Sequence, residues 1–157
     1  MLSTDEIIIN ILLNAKKDGH ELLKHFKIGF PSEQVAEESN SIFVASVDSE
    51  NHSVGYDFQQ FLDRVEVLIV TKNKDYQTAI RIIKTVSREI IKLVNENQQL
   101  FANKPVVERV TPEYNRDFVL TRGHIMFQVK TMEDMSIEED YMKVCQILID
   151  DMEVDTE

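Results

Sequence analysis

The chain of 157 residues has one cysteine, four glycines, three prolines and no tryptophan. The single cysteine, Cys145, excludes a disulfide within the chain and is typical of a reducing compartment. So few glycines leave no phosphate-binding loop of the G-x-x-x-x-G-K type. No apolar run approaches the roughly 18 residues of a membrane span, and the first residues, MLSTDEIIIN, lack the basic start of a signal peptide. The sequence therefore predicts a soluble protein made in the cytoplasm, with no nucleotide and no membrane partner.

Patterns that carry chemistry are also scarce. His20 and His25 are five residues apart, so they do not share a helix face as an i, i+4 metal pair does. The stretch FQVK, residues 127–130, with Asp117 before it, is weakly similar to a metal-dependent nuclease core, but Gln128 stands where such a core needs an acid. We therefore expect no metal, no cofactor and no catalytic residue, and a nuclease-like enzyme is the less favoured alternative.

The spacing of apolar residues predicts one α+β domain over residues 1–157. We expect a four-stranded, mostly antiparallel sheet with a long helix packed on one face, an N-terminal helix and a C-terminal helix. Residues 27–40 and 49–62 are expected to be connections, and Gly123 predicts a kink or bulge in its strand. The element order is α-β-β-α-β-β-α: helix 3–19, strands 41–48 and 63–71, helix 75–95, strands 106–111 and 118–131, and a helix from 136.

Two helices have a clear apolar stripe. The stripe of the central helix is expected to be buried against the sheet and consists of Tyr76, Ala79, Ile80, Ile83, Val86, Ile90 and Val94. The stripe of the last helix is also expected to face inward and consists of Ile137, Tyr141, Val144, Leu148 and Met152. Ser3 with Glu6 predicts a capping box at the first helix, and Gly19 its end. Residues 151–157 are expected to form a flexible acidic tail.

Charge is unevenly placed along a chain whose net charge is −11. Residues 72–92 sum to +4, whereas residues 133–157 sum to −9. Five bases of the central segment follow one side of the predicted helix: Lys74, Arg81, Lys84, Arg88 and Lys92. Like charges at i, i+4 repel unless something compensates them. Either this is a plain solvated face, or it is compensated by nucleic-acid phosphates or by the acidic C-terminal block of this subunit or of a neighbour. The acidic remainder of the chain disfavours DNA.

Two stretches, RVEVLIVTKNKDYQTAIRIIKTVSREI and VVERVTPEYNRDFVLTRGHIMFQVKT, carry a resemblance to a known family. With the order of elements, they resemble the tail terminator, or tail completion, proteins of long-tailed phages, and the neck proteins that join head to tail are similar. The resemblance covers residues 41–131 as a pattern of elements and residue classes, without an invariant motif. The acidic end, residues 136–157, lies outside it.

The resemblance implies a virion structural protein of the tail or neck, assembled in the host cytoplasm and without catalytic residues. It implies a homo-oligomeric ring, commonly a hexamer, that caps the tail tube, contacts tail tube and head-completion proteins, and meets DNA only as DNA passes through the lumen. One basic face and one acidic block per chain suit the heterologous contacts of a ring. The alternative is a non-viral α+β binding or adaptor module that uses the same basic helix face.

The connection 49–62 is the second candidate interface. Its aromatic residues Tyr56, Phe58 and Phe61 favour a contact between subunits, although a plain packed loop is the alternative. We expect this segment to extend the hairpin and to order against a neighbouring subunit. The acids Asp48, Glu50 and Asp57 are candidates to face the lumen, because a channel that passes DNA is better acidic than basic.

Overall fold

The computed structural model describes residues 2–31, 40–51, 58–115, 120–134 and 145–152. Residues 145–152 form a helix, α3. Two 3₁₀ turns span Leu23–His25 and Gln98–Leu100. The remaining elements, in chain order, are α1 (Thr4–Lys17), β1 (Lys27–Gly29), β2 (Ser41–Asn51), β3 (Phe58–Lys72), α2 (Tyr76–Glu96), β4 (Val106–Asn115) and β5 (Leu120–Asp134).

The strands form one sheet in the order β1-β2-β3-β5-β4. Three of its ladders are antiparallel, and only β1 pairs parallel, with β2. The α+β class and the mostly antiparallel sheet are confirmed. The sheet has five strands, however, because β1 lies inside the stretch 27–40 that was expected to be a connection. A strand of three residues is too short to show an alternating apolar pattern. It forms because it pairs with β2.

Both α1 and α2 pack on the same face of the sheet. The side chains between them form one core, with Ile8 and Leu12 from α1 and alternate residues from the three central strands. Period-2 alternation sends every second residue of a strand to this face. The buried central set includes Val65, Val67, Ile69, Ile125, Phe127 and Val129.

The predicted stripe of α2 is mostly confirmed. Ala79, Ile83, Val86, Ile90 and Val94 are buried, at 1% exposure or less. Tyr76 is 52% exposed, which corrects its placement in the stripe. It is the first residue of the helix, and the helical period alone does not show where the supporting sheet ends.

The ends of α1 agree only in part with the expected signals. Gly19 has φ +87°, and its N–H donates to the carbonyl of Lys16, so the stop after α1 is confirmed. The hydroxyl of Ser3 bonds to the Glu6 carboxylate at 2.8 Å and makes no cap to the helix backbone. The predicted capping box is therefore wrong, and a side-chain pair takes its place.

Gly123 lies in a regular part of β5, opposite Ile69 on β3 and Pro112 on β4. The bulges occur elsewhere, at Ser46/Asp48 in β2 and Val107/Arg109 in β4. The expected kink or bulge at Gly123 is therefore wrong. The glycine serves close packing instead, because a Cβ at this position would overlap Cγ2 of Ile83 on α2.

The β2–β3 hairpin is longer than the predicted strands. Pairing continues from Ser49↔Asp63 through Asn51↔Phe61, and β3 continues back to Phe58, which pairs with Asp134 of β5. Most of the connection 49–62 is thus strand, and the expectation that it extends the hairpin is confirmed. Residues 52–57, with Tyr56 and Asp57, lie outside the described residues.

The last helix differs from the expectation in its orientation. Leu148 is 51% exposed and Met152 is 63% exposed, so their predicted inward placement is wrong. Amphipathic spacing identifies an apolar stripe but not the surface that covers it. The helix runs through residue 152, and thus includes the first two residues of the predicted tail; residues 135–144 and 153–157 lie outside the described part of the chain.

Candidate functional site

The outer side of α2 is a basic face, formed by Arg81, Lys84, Arg88 and Lys92, with Lys74 in the turn before the helix. All five side chains are exposed, as predicted. At 3.6 residues per turn, the four helical bases lie within roughly 80° of one another around the axis. The helix presents its apolar stripe to the sheet and this basic face to solvent.

Charges that could compensate the basic face are few among the described residues. None of the five bases forms a salt bridge with a described residue. Glu89 lies on the same helix, but its carboxylate is 3.3 Å from Nε2 of His20 at the end of α1. Asp75 has a pKa below its usual value, mainly because the Thr78 hydroxyl donates a hydrogen bond to it, with a smaller contribution from the charge of Arg81. The basic face is therefore left largely uncompensated.

An apolar groove runs beside the basic face. It lies between the segment Leu22–Phe26 and the first half of α2, and encloses about 310 Å³. Phe26 and Val86 are buried and form its floor, while Ile82 is half-buried at its wall. Arg81 and Thr85 stand exposed at its rim. We name this the α2 groove. No sequence pattern predicts this groove, because its two sides are about 60 residues apart in the chain.

The candidate lumen acids are part of an ion-pair cluster. Arg64 of β3 contacts Asp48 at 3.2 Å, Glu50 at 3.7 Å and Glu108 at 3.5 Å. The pKa of Arg64 is raised above its usual value, mainly by its hydrogen bond to Asp48. Arg64 alternates with the buried Val65, so the cluster lies on the sheet face opposite the helices. Asp48 and Glu50 are exposed, but Arg64 partly compensates their charge, which the sequence did not indicate.

A second charged group lies further along the same sheet face. His124 of β5 has Nδ1 3.3 Å from Glu66 on β3 and Nε2 3.2 Å from Glu113 on β4. The three residues come from three adjacent strands and tie them together across the sheet. The sequence alone does not group these three residues, because only the strand register places them side by side.

The aromatic candidates lie at the end of the long hairpin. Phe61 is half-buried and pairs with Asn51 on one side and Thr131 on the other. The backbone of Phe58 belongs to β3, and its side chain is outside what is described. We call residues 49–51, 58–63 and 129–134 the hairpin arm. Phe61 is next to Leu62, which pairs with Glu50, and strand alternation places the Phe61 side chain on the sheet face opposite to that of Leu62 and Arg64.

Comparisons with known proteins give a fold and no family. No family model and no curated protein sequence matches the chain. A solved structure titled "Virion of native gene transfer agent (GTA) particle" contains a similar chain, with a TM-score of 0.56 and 10% identity. The match covers 80% of this chain and 94% of that one. At this identity, the likeness shows a shared fold.

The described residues contain neither a metal-ligand cluster nor a membrane-spanning helix. Among residues 2–31, 40–51, 58–115, 120–134 and 145–152, no group of three or more metal-binding side chains occurs. No helix within those ranges is long and apolar enough to cross a membrane. Asp117, the acid of the nuclease alternative, lies outside them, while Gln128 and Lys130 line a shallow pocket with Phe61.

Proposed function

We propose that the chain is a structural protein of a phage-like virion that works by assembly and without a catalytic step. The observation that carries the proposal is the fold shared with almost the whole of one chain of a virion particle, 94% of its length. The resemblance of residues 41–131 to tail terminator proteins points the same way, and rests on different evidence, namely the sequence of residue classes.

The finer role is that of a tail terminator or head-tail connector component. In this role copies of the chain form a ring, a hexamer if the resemblance holds, which caps the tail tube and contacts the head-completion proteins at the neck. The ring assembles in the host cytoplasm and stays in the virion. A net charge of −11 suits a ring whose lumen lets DNA pass without holding its phosphates.

The surface of the chain supports ring assembly. A heterologous interface needs two different surfaces that complement each other. The exposed basic face of α2 and the acidic segment 133–157 are such a pair by charge, and the hairpin arm extends the contact surface. The exposed bases have no salt bridge to a described residue, which favours a partner outside the chain.

The decisive test is assembly of the purified protein. Light scattering after size exclusion, native mass spectrometry and negative-stain images should show a closed ring. The ring should bind one end of the tail tubes formed by a tube protein encoded beside it. A protein that remains monomeric at high micromolar concentration, with and without tubes, contradicts the proposal.

A further inference from the structure

The described part of the last helix, α3, has an apolar stripe with no cover. Cys145, Leu148, Ile149 and Met152 follow the i, i+3, i+4, i+7 spacing that places them on one face of a helix. Leu148, Ile149 and Met152 are 51%, 46% and 63% exposed. Large exposed apolar side chains that form one stripe are typical of a helix that binds in a groove.

The other side of α3 is acidic. Asp150 and Asp151 lie away from the stripe, and Gln146 donates a hydrogen bond to Asp150 at 3.0 Å. Residues 145–157 contain five acids and no base. The segment therefore combines an apolar stripe with negative charge.

The α2 groove has the complementary character. Its floor and wall are apolar, with Phe26, Ile82 and Val86, and Arg81 stands at its rim. Lys84 and Arg88 follow along the helix, exposed and without a salt bridge to a described residue. The α2 groove thus combines apolar side chains with positive charge, and α3 combines an apolar stripe with negative charge. The two surfaces are complementary.

We propose that α3 of one copy docks into the α2 groove of the next copy. The apolar stripe covers the half-buried Leu22 and Ile82 above the buried floor of Phe26 and Val86, and the negative charge of Asp150 and Asp151, on the outer side of the docked helix, is attracted to the neighbouring basic face. This exchange is heterologous, since each copy offers one helix and one groove, and repetition of the contact builds a ring. The inference rests on the proposed function, because both require that copies associate.

The occupant is a second copy rather than the helix of the same chain. In the single chain the stripe of α3 is exposed and the α2 groove is open, so α3 does not fill the groove of its own chain. Docking would remove from water the exposed stripe of α3 and the half-buried Leu22 and Ile82 of the groove. The groove volume, about 310 Å³, lies at the lower limit for small-molecule pockets, about 300 Å³, and is better suited to a few aliphatic side chains.

The first test uses two neighbouring residues of α3. Leu148 lies on the stripe and Ile147 lies off it, and both are exposed, at 51% and 61%. Leu148→Asp should weaken association by about tenfold or more, because a charge replaces a buried apolar contact. Ile147→Asp makes the same chemical change outside the contact and should associate like the unmodified protein. Sedimentation over a concentration series measures both. Equal effects of the two variants would overturn the proposal.

The second test places opposite charges at the groove. Thr85 is exposed at the rim, so its replacement leaves the core intact. Thr85→Glu should weaken association by repelling the acidic helix, whereas Thr85→Lys should keep or strengthen it. A mixture of Leu148→Asp and Thr85→Glu chains should form one-to-one pairs, since one supplies an intact groove and the other an intact helix. Failure of the mixture to pair counts against exchange.

A cross-link distinguishes exchange from docking within one chain. Cys145 belongs to the stripe, so a Thr85→Cys chain treated with a short bismaleimide should give a ladder of linked multimers on a denaturing gel. The Thr85→Cys, Cys145→Ser chain is the control and should give no ladder. A fast-migrating linked monomer, or no product, overturns the proposal.

A ring that survives Leu148→Asp unchanged refutes this contact alone, whereas an unmodified chain that never associates refutes the proposed function as well.

Discussion

The close packing of α2 on the sheet depends on Gly123, which has no side chain. At Gly123 the strand passes directly beneath Ile83, and no Cβ would fit between them without overlapping Cγ2 of that residue. Both residues are at the centre of the core, where Ile83 is 1% exposed. Close-packed protein interiors accept an additional methyl group only if the neighbouring side chains move.

Gly123→Ala is expected to destabilise the protein by about 1–3 kcal/mol, the usual cost of overpacking a core. In an Ile83→Leu background the same change should cost less, because leucine has no methyl branch at Cβ. Urea unfolding of the two single variants and the double variant measures the coupling. Strictly additive free energies would contradict the close contact.

A second prediction at this scale concerns the start of α2. The pKa of Asp75 is below its usual value of about 3.9, chiefly because of the hydrogen bond from Thr78. A lowered folded-state pKa contributes stability above the unfolded-state pKa, and this stability is lost as the pH falls through the folded-state value. Thr78→Val should therefore raise the pKa of Asp75 and destabilise the protein at neutral pH but not in strong acid.

Carboxyl chemical shifts followed by NMR during an acid titration measure this pKa. Thr85→Val, a matched loss of a hydroxyl further along the same helix, should leave the Asp75 titration unchanged. An unaltered curve in the Thr78 variant would assign the shift to another cause.

At the scale of elements, long-period patterns were predictable and tertiary pairings were not. The bounds predicted for α2, 75–95, agree with Tyr76–Glu96 because its buried stripe, from Ala79 to Val94, extends over about four turns. The exposure of Arg81 and its neighbours follows from the same period. The strand β1 was missed because its stability comes from β2. The α2 groove was not predictable, because it joins segments far apart in the chain. The outward exposure of the α3 stripe was not predictable either, because the sequence of a helix does not show which surface its apolar side meets.

The hairpin arm allows a prediction about assembly. Replacing residues 51–61 by Asn-Gly joins the paired residues Glu50 and Leu62 through a two-residue turn. The shortened chain should remain folded, because α1, α2 and the core they cover lie elsewhere. It should lose its oligomers, since the arm carries Phe61 and its neighbours to the proposed contact. Circular dichroism and native mass spectrometry measure the two properties. Intact rings from the shortened chain would exclude the arm as an interface.

At the scale of the whole molecule, positive and negative charge are concentrated in two different segments of the sequence. The central segment 72–92 sums to +4 and the segment 133–157 to −9. Exposed charges of opposite sign on different copies attract over about 10 Å at 0.1 M salt and less at higher salt. Association of this chain is therefore expected to depend on ionic strength.

Replacing Arg81, Lys84 and Arg88 by glutamate should weaken assembly and reverse its salt dependence, because like charges would then face each other. The unmodified protein should assemble less well as salt rises. Replacing Lys17, Lys104 and Arg109, three exposed bases outside α2, by glutamate changes the same number of charges and is the control. Light scattering at low and high salt compares them. Normal assembly of the α2 variant under both conditions would leave the basic face as a solvated surface.

The position of β3 at the centre of the sheet has a consequence for how the chain folds during synthesis. One edge of β3 pairs with β2, which precedes it, but its other edge pairs along its full length, from Phe58↔Asp134 to Lys72↔Leu120, with the last strand. A ribosome therefore releases α1, α2 and four strands before the partner of that edge exists. Because contacts so distant in sequence form slowly, the nascent chain carries an open, apolar strand edge until residue 134 has emerged. Chaperone protection is most needed in that interval, and a truncation before β5 is expected to aggregate rather than fold.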